Sequence, residues 1–221
     1  MTETSLVILI WTAVSIGFLH TVIGPDHYLP FIVISKARNW SISKTLLITV
    51  ACGIGHVFSS VLIGIVGIAL GSALGSLTTI EKIRGDIASY ALITFGTIYA
   101  LWGLWRARYG HGHKHLPGGK HVDETSAKSV TFWALFIIFV LGPCEPLIPL
   151  VMFPAVEHNW HGVIMVTLFF GLVTITTMST IVFLSVKGLA SIRTHLLEKY
   201  IHALAGSIIA ISGISIKLFG L

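Results

Sequence analysis

Two proline-studded breaks, Gly24-Pro25-Asp26-His27-Tyr28-Leu29-Pro30 and Gly142-Pro143-Cys144-Glu145-Pro146-Leu147-Ile148-Pro149, interrupt apolar segments of this chain 118 residues apart (142 − 24). Proline has no amide hydrogen, and its ring clashes with the carbonyl four residues back, so neither segment can run as an unbroken α-helix. Pro30 frees the carbonyl of Asp26; Pro143, Pro146 and Pro149 free those of Phe139, Gly142 and Glu145. Unpartnered carbonyls in hydrocarbon persist only where protein buries them or they line a cavity. The sequence therefore calls for two broken helices around one interior polar site, an arrangement that secondary transporters use.

The surrounding medium is a bilayer. Hydrophobic residues make up 54% of the chain and charged residues only 10%, whereas soluble proteins carry roughly a quarter charged residues. About 20 apolar residues span a membrane, and six such segments lie near residues 5–35, 45–76, 86–106, 130–155, 162–186 and 200–219. Met1-Thr2-Glu3-Thr4 lacks the positive start of a cleavable signal, so the first segment is expected to be retained. Lys and Arg concentrate in cytoplasmic loops. An outside N-terminus places Lys36, Arg38, Lys44, Arg106, Arg108, Lys114, Lys120, Lys128, Lys187, Arg193 and Lys199 inside, and only Lys82, Arg84 and Lys217 outside. Six spans then return the C-terminus to the outside of the cell membrane. The net charge of +5 is on this reading a topology signal and gives no support to nucleic-acid binding. Cys52 and Cys144 both fall in apolar segments, which argues against a structural disulfide framework.

An internal repeat organises the chain. Glu81-Lys82 and Glu198-Lys199 align at an offset of 117, and the same offset pairs Ala88 with Ala205, Gly96 with Gly213, Leu101 with Leu218, Gly103 with Gly220 and Leu104 with Leu221. Three spans per copy make the second copy enter the membrane from the opposite side. The expected fold is thus an all-α integral membrane protein of six transmembrane helices, two inverted-topology three-helix repeats with broken first and fourth helices. Residues 1–108 form the first repeat, 109–127 a His-rich cytoplasmic linker and 128–221 the second repeat. Gly67, Gly71 and Gly75 lie four apart, a spacing read as close helix packing.

Ionisable groups within spans mark functional sites by default. Asp26, His27, Cys144 and Glu145 sit in the two breaks, and His56 enters from the second segment between flanking glycines. His20 and His27 share a helical face but lie about 10 Å apart on a continuous helix. Either the break draws them together or His20 is a separate relay. The position matching His56 at the 118 offset is Thr174, in a run of hydroxyls. Imidazole, carboxylate and thiolate together suit a borderline divalent metal better than calcium or magnesium. The candidate metal residues are His20, Asp26, His27, His56, Cys144 and Glu145, with a second, cytoplasmic set at His111, His113, His115 and His121. Glu157-His158-Asn159-Trp160-His161 reads as an interfacial loop anchored by Trp160.

Gly17-Phe18-Leu19-His20, Gly24-Pro25-Asp26-His27 and Gly55-His56 resemble the nickel/cobalt transporters and the related nickel/cobalt efflux and urease-accessory UreH-like membrane proteins. Their signature is a spaced His with Asp-His in one helix and Gly-His-Ser in the next. Here five residues separate His20 from Asp26 where the importers have four, and Val57 stands in place of the serine. The resemblance implies that His20, Asp26, His27 and His56 form the metal path, and the His-rich linker looks like that of the efflux branch. The proline-flanked repeat also resembles the wider superfamily of cytochrome c biogenesis transmembrane proteins, thiol-disulfide electron carriers with a cysteine in each broken helix. In this chain Cys144 occupies one break and Asp26 the matching position of the other.

The function expected is secondary transport of a divalent transition metal, nickel or cobalt first and efflux favoured, by alternating access. The metal is cargo, no resident cofactor is implied, and no nucleophile-base-orienter set suggests an enzyme. The alternatives are electron transfer through Cys144 and Cys52, and permeation of a small neutral or anionic solute. Assembly as a homo-oligomer is left open.

Overall fold

The computed structural model describes residues 2–69, 74–109, 124–189 and 195–219. Among these residues the chain is almost entirely helical, without strands. The helices are α1 (Glu3–Ile23), α2 (Leu29–Ala37), α3 (Ile42–Ala69), α4 (Leu74–Tyr109), α5 (Glu124–Leu141), α6 (Leu147–Val156), α7 (Trp160–Leu189) and α8 (His195–Phe219). Helices α1, α3, α4, α7 and α8 are each long and apolar enough to cross a membrane. This is a multi-pass membrane protein, and its large exposed side chains, among them Trp11, Leu47, Phe58 and Leu168, suit a hydrocarbon surround.

Both proline breaks fall where the sequence puts them. Helix α1 ends at Ile23, a 3₁₀ turn covers Pro25–His27, and α2 begins at Leu29. In the second break α5 stops at Leu141 and α6 starts at Leu147, so the expected segment 130–155 becomes two shorter helices. The turn into α7 is a capping structure: His158 adopts a positive φ of 53°, and the Asn159 side chain accepts a 2.9 Å hydrogen bond from the Gly162 amide.

Two expectations change. Helix α4 begins at Leu74, well before residue 86, because Glu81 and Arg84 pair inside the protein; Arg84, only 8% exposed, is no outer-loop charge. The proposed glycine stripe also divides. Gly67 packs against Leu77, Gly75 faces open space, and Gly71 lies outside the described residues.

The order of broken helix, long helix, long helix occurs twice, and much of the packing follows it. Exchanging the halves carries the α1·α7 contact onto α5·α3, α2·α8 onto α6·α4, α2·α7 onto α6·α3 and α2·α3 onto α6·α7, all of which are made. Individual contacts obey the same exchange. A Cβ placed on Gly53 would lie 3.1 Å from Ile175, and one on Gly171 would lie 3.2 Å from Val57, positions that differ by 118 (171 − 53 and 175 − 57). Gly96 abuts Gly206 and Ala210, while Gly213 abuts Ser89 and Ile93, which differ by 117 (213 − 96, 206 − 89 and 210 − 93). Because residue numbers rise along α4 as they fall along α8, the two helices run antiparallel, backbone against backbone. The core divides into one cluster around Phe31, Leu135, Phe139, Met178 and Ile209 and another around Cys144, Leu147, Val166 and Phe170.

Candidate metal site between the two breaks

The first break does what a continuous helix could not. The 3₁₀ turn, closed by the His27 amide on the Gly24 carbonyl at 3.1 Å, folds His27 back beside His20, with ring centroids 4.7 Å apart. His56 of α3 completes the group, 5.1 Å from His27 and 6.5 Å from His20. One ligand nitrogen from each of the three can be chosen so that all lie within 4.8 Å of one another. Gly55 lets α3 approach close to Val140 and Phe136 of α5, and Gly53 does the same toward α7. That places His56 at a crossing of three helices.

Hydrogen bonding orients two of these rings. His27 Nδ1 lies 3.1 Å from the Gly24 carbonyl and 3.2 Å from Asp26 Oδ1. His56 Nδ1 lies 3.2 Å from the Phe139 carbonyl. Carbonyl and carboxylate oxygens only accept, so both Nδ1 atoms carry hydrogen and a neutral ring turns its Nε2 lone pair elsewhere. The Nε2 atoms of His20, His27 and His56 are all buried without a hydrogen-bond partner. Orphaned buried polar atoms are costly. Three of them within one histidine cluster are available nitrogen donors, which suit late first-row divalent metals.

A pocket of about 20 Å³, lined in part by Asp26, His27, His56, Gly142 and Pro143, adjoins the cluster. It has room for one water-sized occupant. Beyond it a cavity of about 810 Å³ reaches from His20 past Pro143 and Glu145 to Lys82, Asp86 and Lys217. Gly85, Pro143 and Ile216 line both spaces and form the wall between them. Asp86 and Lys217 pair across this cavity at 2.5 Å.

Of the residues singled out from sequence, His20, His27 and His56 come together. Asp26 stands behind His27 and holds its Nδ1. Glu145 is exposed in the larger cavity. Cys144 is buried in the second core cluster and Cys52 in the first, both as free thiols. Thr174 is fully buried, with an unpartnered hydroxyl. His111, His113, His115 and His121 lie outside the described residues.

Sequence reasoning missed the clamp on the second break. Two of the carbonyls freed by proline find specific partners there: Phe139 takes the His56 hydrogen bond, and Gly142 accepts from Arg84 Nη2 at 3.1 Å. Arg84 Nη2 also donates to the Val140 carbonyl at 2.8 Å and to Ser59 Oγ at 2.7 Å. Glu81 pairs with Arg84 and accepts from the Cys144 amide at 2.9 Å. The signal was present as an i,i+3 acid–base pair next to an apolar run, at positions that broke the positive-inside pattern.

Comparison with known proteins adds one match. The family model described as the cytochrome C biogenesis protein transmembrane region covers residues 29–215. It begins at the first residue of α2, so His20, Asp26 and His27 lie outside the matched stretch. No curated protein and no solved structure matches the chain.

Proposed function

This chain belongs to the cytochrome C biogenesis protein transmembrane region family, and within that family we propose that it is a secondary transporter of a divalent transition metal. The observation that carries this reading is the cluster of His20, His27 and His56, in which one ring nitrogen from each lies within 4.8 Å of the others and all three Nε2 atoms are buried and unpartnered. Nickel or cobalt is the proposed cargo, with efflux the direction. His20, His27 and His56 bind it, Asp26 orients His27, and Glu145 guards the approach through the larger cavity. The protein works in the bilayer as a transporter, without enzymatic chemistry.

We further propose that the fold is a six-span inverted repeat with both termini outside. Its support is the antiparallel α4–α8 pair, whose contacts exchange at an offset of 117, and the exchange of packing partners between the halves. Rocking of one repeat against the other would expose the histidine cluster to each side in turn.

The experiment is metal flux into proteoliposomes loaded with a metal-sensing dye, run with nickel, cobalt, zinc and manganese on the wild type and His27→Ala. Flux of one or more ions, abolished by His27→Ala, is the expected result. Absence of flux for every ion would overturn the metal reading.

Family membership favours a second reading, electron transfer through Cys52 and Cys144. The two thiols lie in separate packed clusters, so a relay between them requires a movement that brings them together. An oxidised protein in which the Cys52–Cys144 disulfide is trapped would establish it.

A further inference from the structure

The exchange symmetry that relates α4 to α8 also relates the open cavity to a closed one. Gly85 and Ile216 form the wall between the 810 Å³ cavity and the histidine pocket. Their counterparts at 117 are His202 and Tyr99 (202 − 85 and 216 − 99), toward the opposite end of the same helix pair. A glycine and an isoleucine thus flank open space at one end. At the other, the Tyr99 hydroxyl and His202 Nδ1 are hydrogen-bonded at 2.8 Å.

The closed end is filled from three helices. Trp102 stacks on Tyr99 with centroids 5.6 Å apart and meets His202 edge-on at 5.1 Å. Arg38, just past the end of α2, lies over the Tyr99 ring at 5.8 Å, and Arg106 lies over Trp102 at 5.4 Å. Ala37, Tyr99 and Ala205 form a small buried cluster of their own, with Val33 and Ile201 against it. This cluster joins the short helix that follows the first break to the α4–α8 pair. Movement of α2 relative to α4 and α8 would have to part it.

We propose that the Tyr99–Trp102–His202 junction, with Arg38 set on it, is the gate that closes the second half of the transport path in this conformation. When it parts, a cavity matching the 810 Å³ one opens beside α2, and the outer cavity closes as Gly85 and Ile216 take up the packed arrangement. The inference rests on the transporter reading but names no cargo. The hydrogen bond and the aromatic stack hold one of two states, so weakening them shifts the population toward the other.

The test uses membrane vesicles without added metal and a membrane-impermeant maleimide applied from either side. Ala205→Cys reports the junction and Glu145→Cys the outer cavity, each corrected for the parent chain. Tyr99→Phe removes the hydroxyl that meets His202 and Arg38, and His202→Ala removes the wedge. Loss of one hydrogen bond should shift the balance roughly fivefold. Expected in either background is faster labelling of Ala205→Cys together with slower labelling of Glu145→Cys. An unchanged rate at Ala205→Cys would overturn the gate, and so would acceleration at both reporters, the signature of general loosening. Reciprocal labelling without metal flux would keep the gate and discard the metal cargo; flux without reciprocal labelling would do the reverse.

Discussion

Metal-ligating histidines generally donate their other ring N–H to an oxygen acceptor, and at residue scale that separates the roles of His27, His56 and Asp26. Hydrogen bonds to the ring nitrogen that faces away from the metal fix tautomer and ring orientation, and their loss typically lowers metal affinity about 10–100-fold. Asp26→Asn should therefore weaken metal binding by about 10–100-fold, while His27→Ala and His56→Ala, which remove donor atoms, should weaken it further. Titration calorimetry on detergent-purified protein distinguishes these outcomes, and equal losses for Asp26→Asn and His27→Ala would make Asp26 a direct ligand. The histidines were legible as a motif because imidazole inside an apolar segment is conspicuous. Their convergence was not, since His20 reaches His27 only through a 3₁₀ turn whose geometry the proline announces without specifying. Arg84 was read as an outer-side charge because a sequence does not show how far a helix extends beyond its apolar stretch.

Among the elements, the second break depends on the Glu81–Arg84 pair. Removing one partner of a buried ion pair leaves an uncompensated charge, at a cost of about 3–5 kcal/mol. Arg84→Met should lower the thermal unfolding midpoint in detergent markedly, and the double variant Glu81→Gln, Arg84→Met should recover much of the loss. If the single and double variants unfold alike, the clamp does not operate through charge pairing. The α4–α8 contact makes a separate claim. A methyl group on Gly206 would meet the Ala100 backbone, whereas one on Gly75 meets nothing within 4 Å. Gly206→Ala should destabilise by about 1–3 kcal/mol, with Gly75→Ala neutral or slightly stabilising as helix propensity dictates; unfolding curves of both in one detergent give the comparison. Aligned glycines 117 apart were visible in the sequence. That they form one antiparallel interface was not, because an offset relates positions and says nothing of which helices touch.

For the whole molecule, the exchange of packing between halves means that neither half encloses its own site. His20, His27 and His56 all come from the first half, yet the His56 hydrogen bond ends on Phe139 of the second, and α1 packs chiefly on α7 rather than on a helix of its own half. Helix association in a bilayer relies on close packing of small residues, and the α4–α8 surface that supplies it is shared between the halves. A chain divided between Tyr109 and Glu124 should therefore behave as two complementary fragments. Expressed together, with a tag on one only, the fragments should co-purify and bind metal with the affinity of the intact chain; expressed singly, each should be lost to proteolysis. The first half alone retaining full metal affinity would show that the second break contributes nothing to metal binding by the histidine cluster.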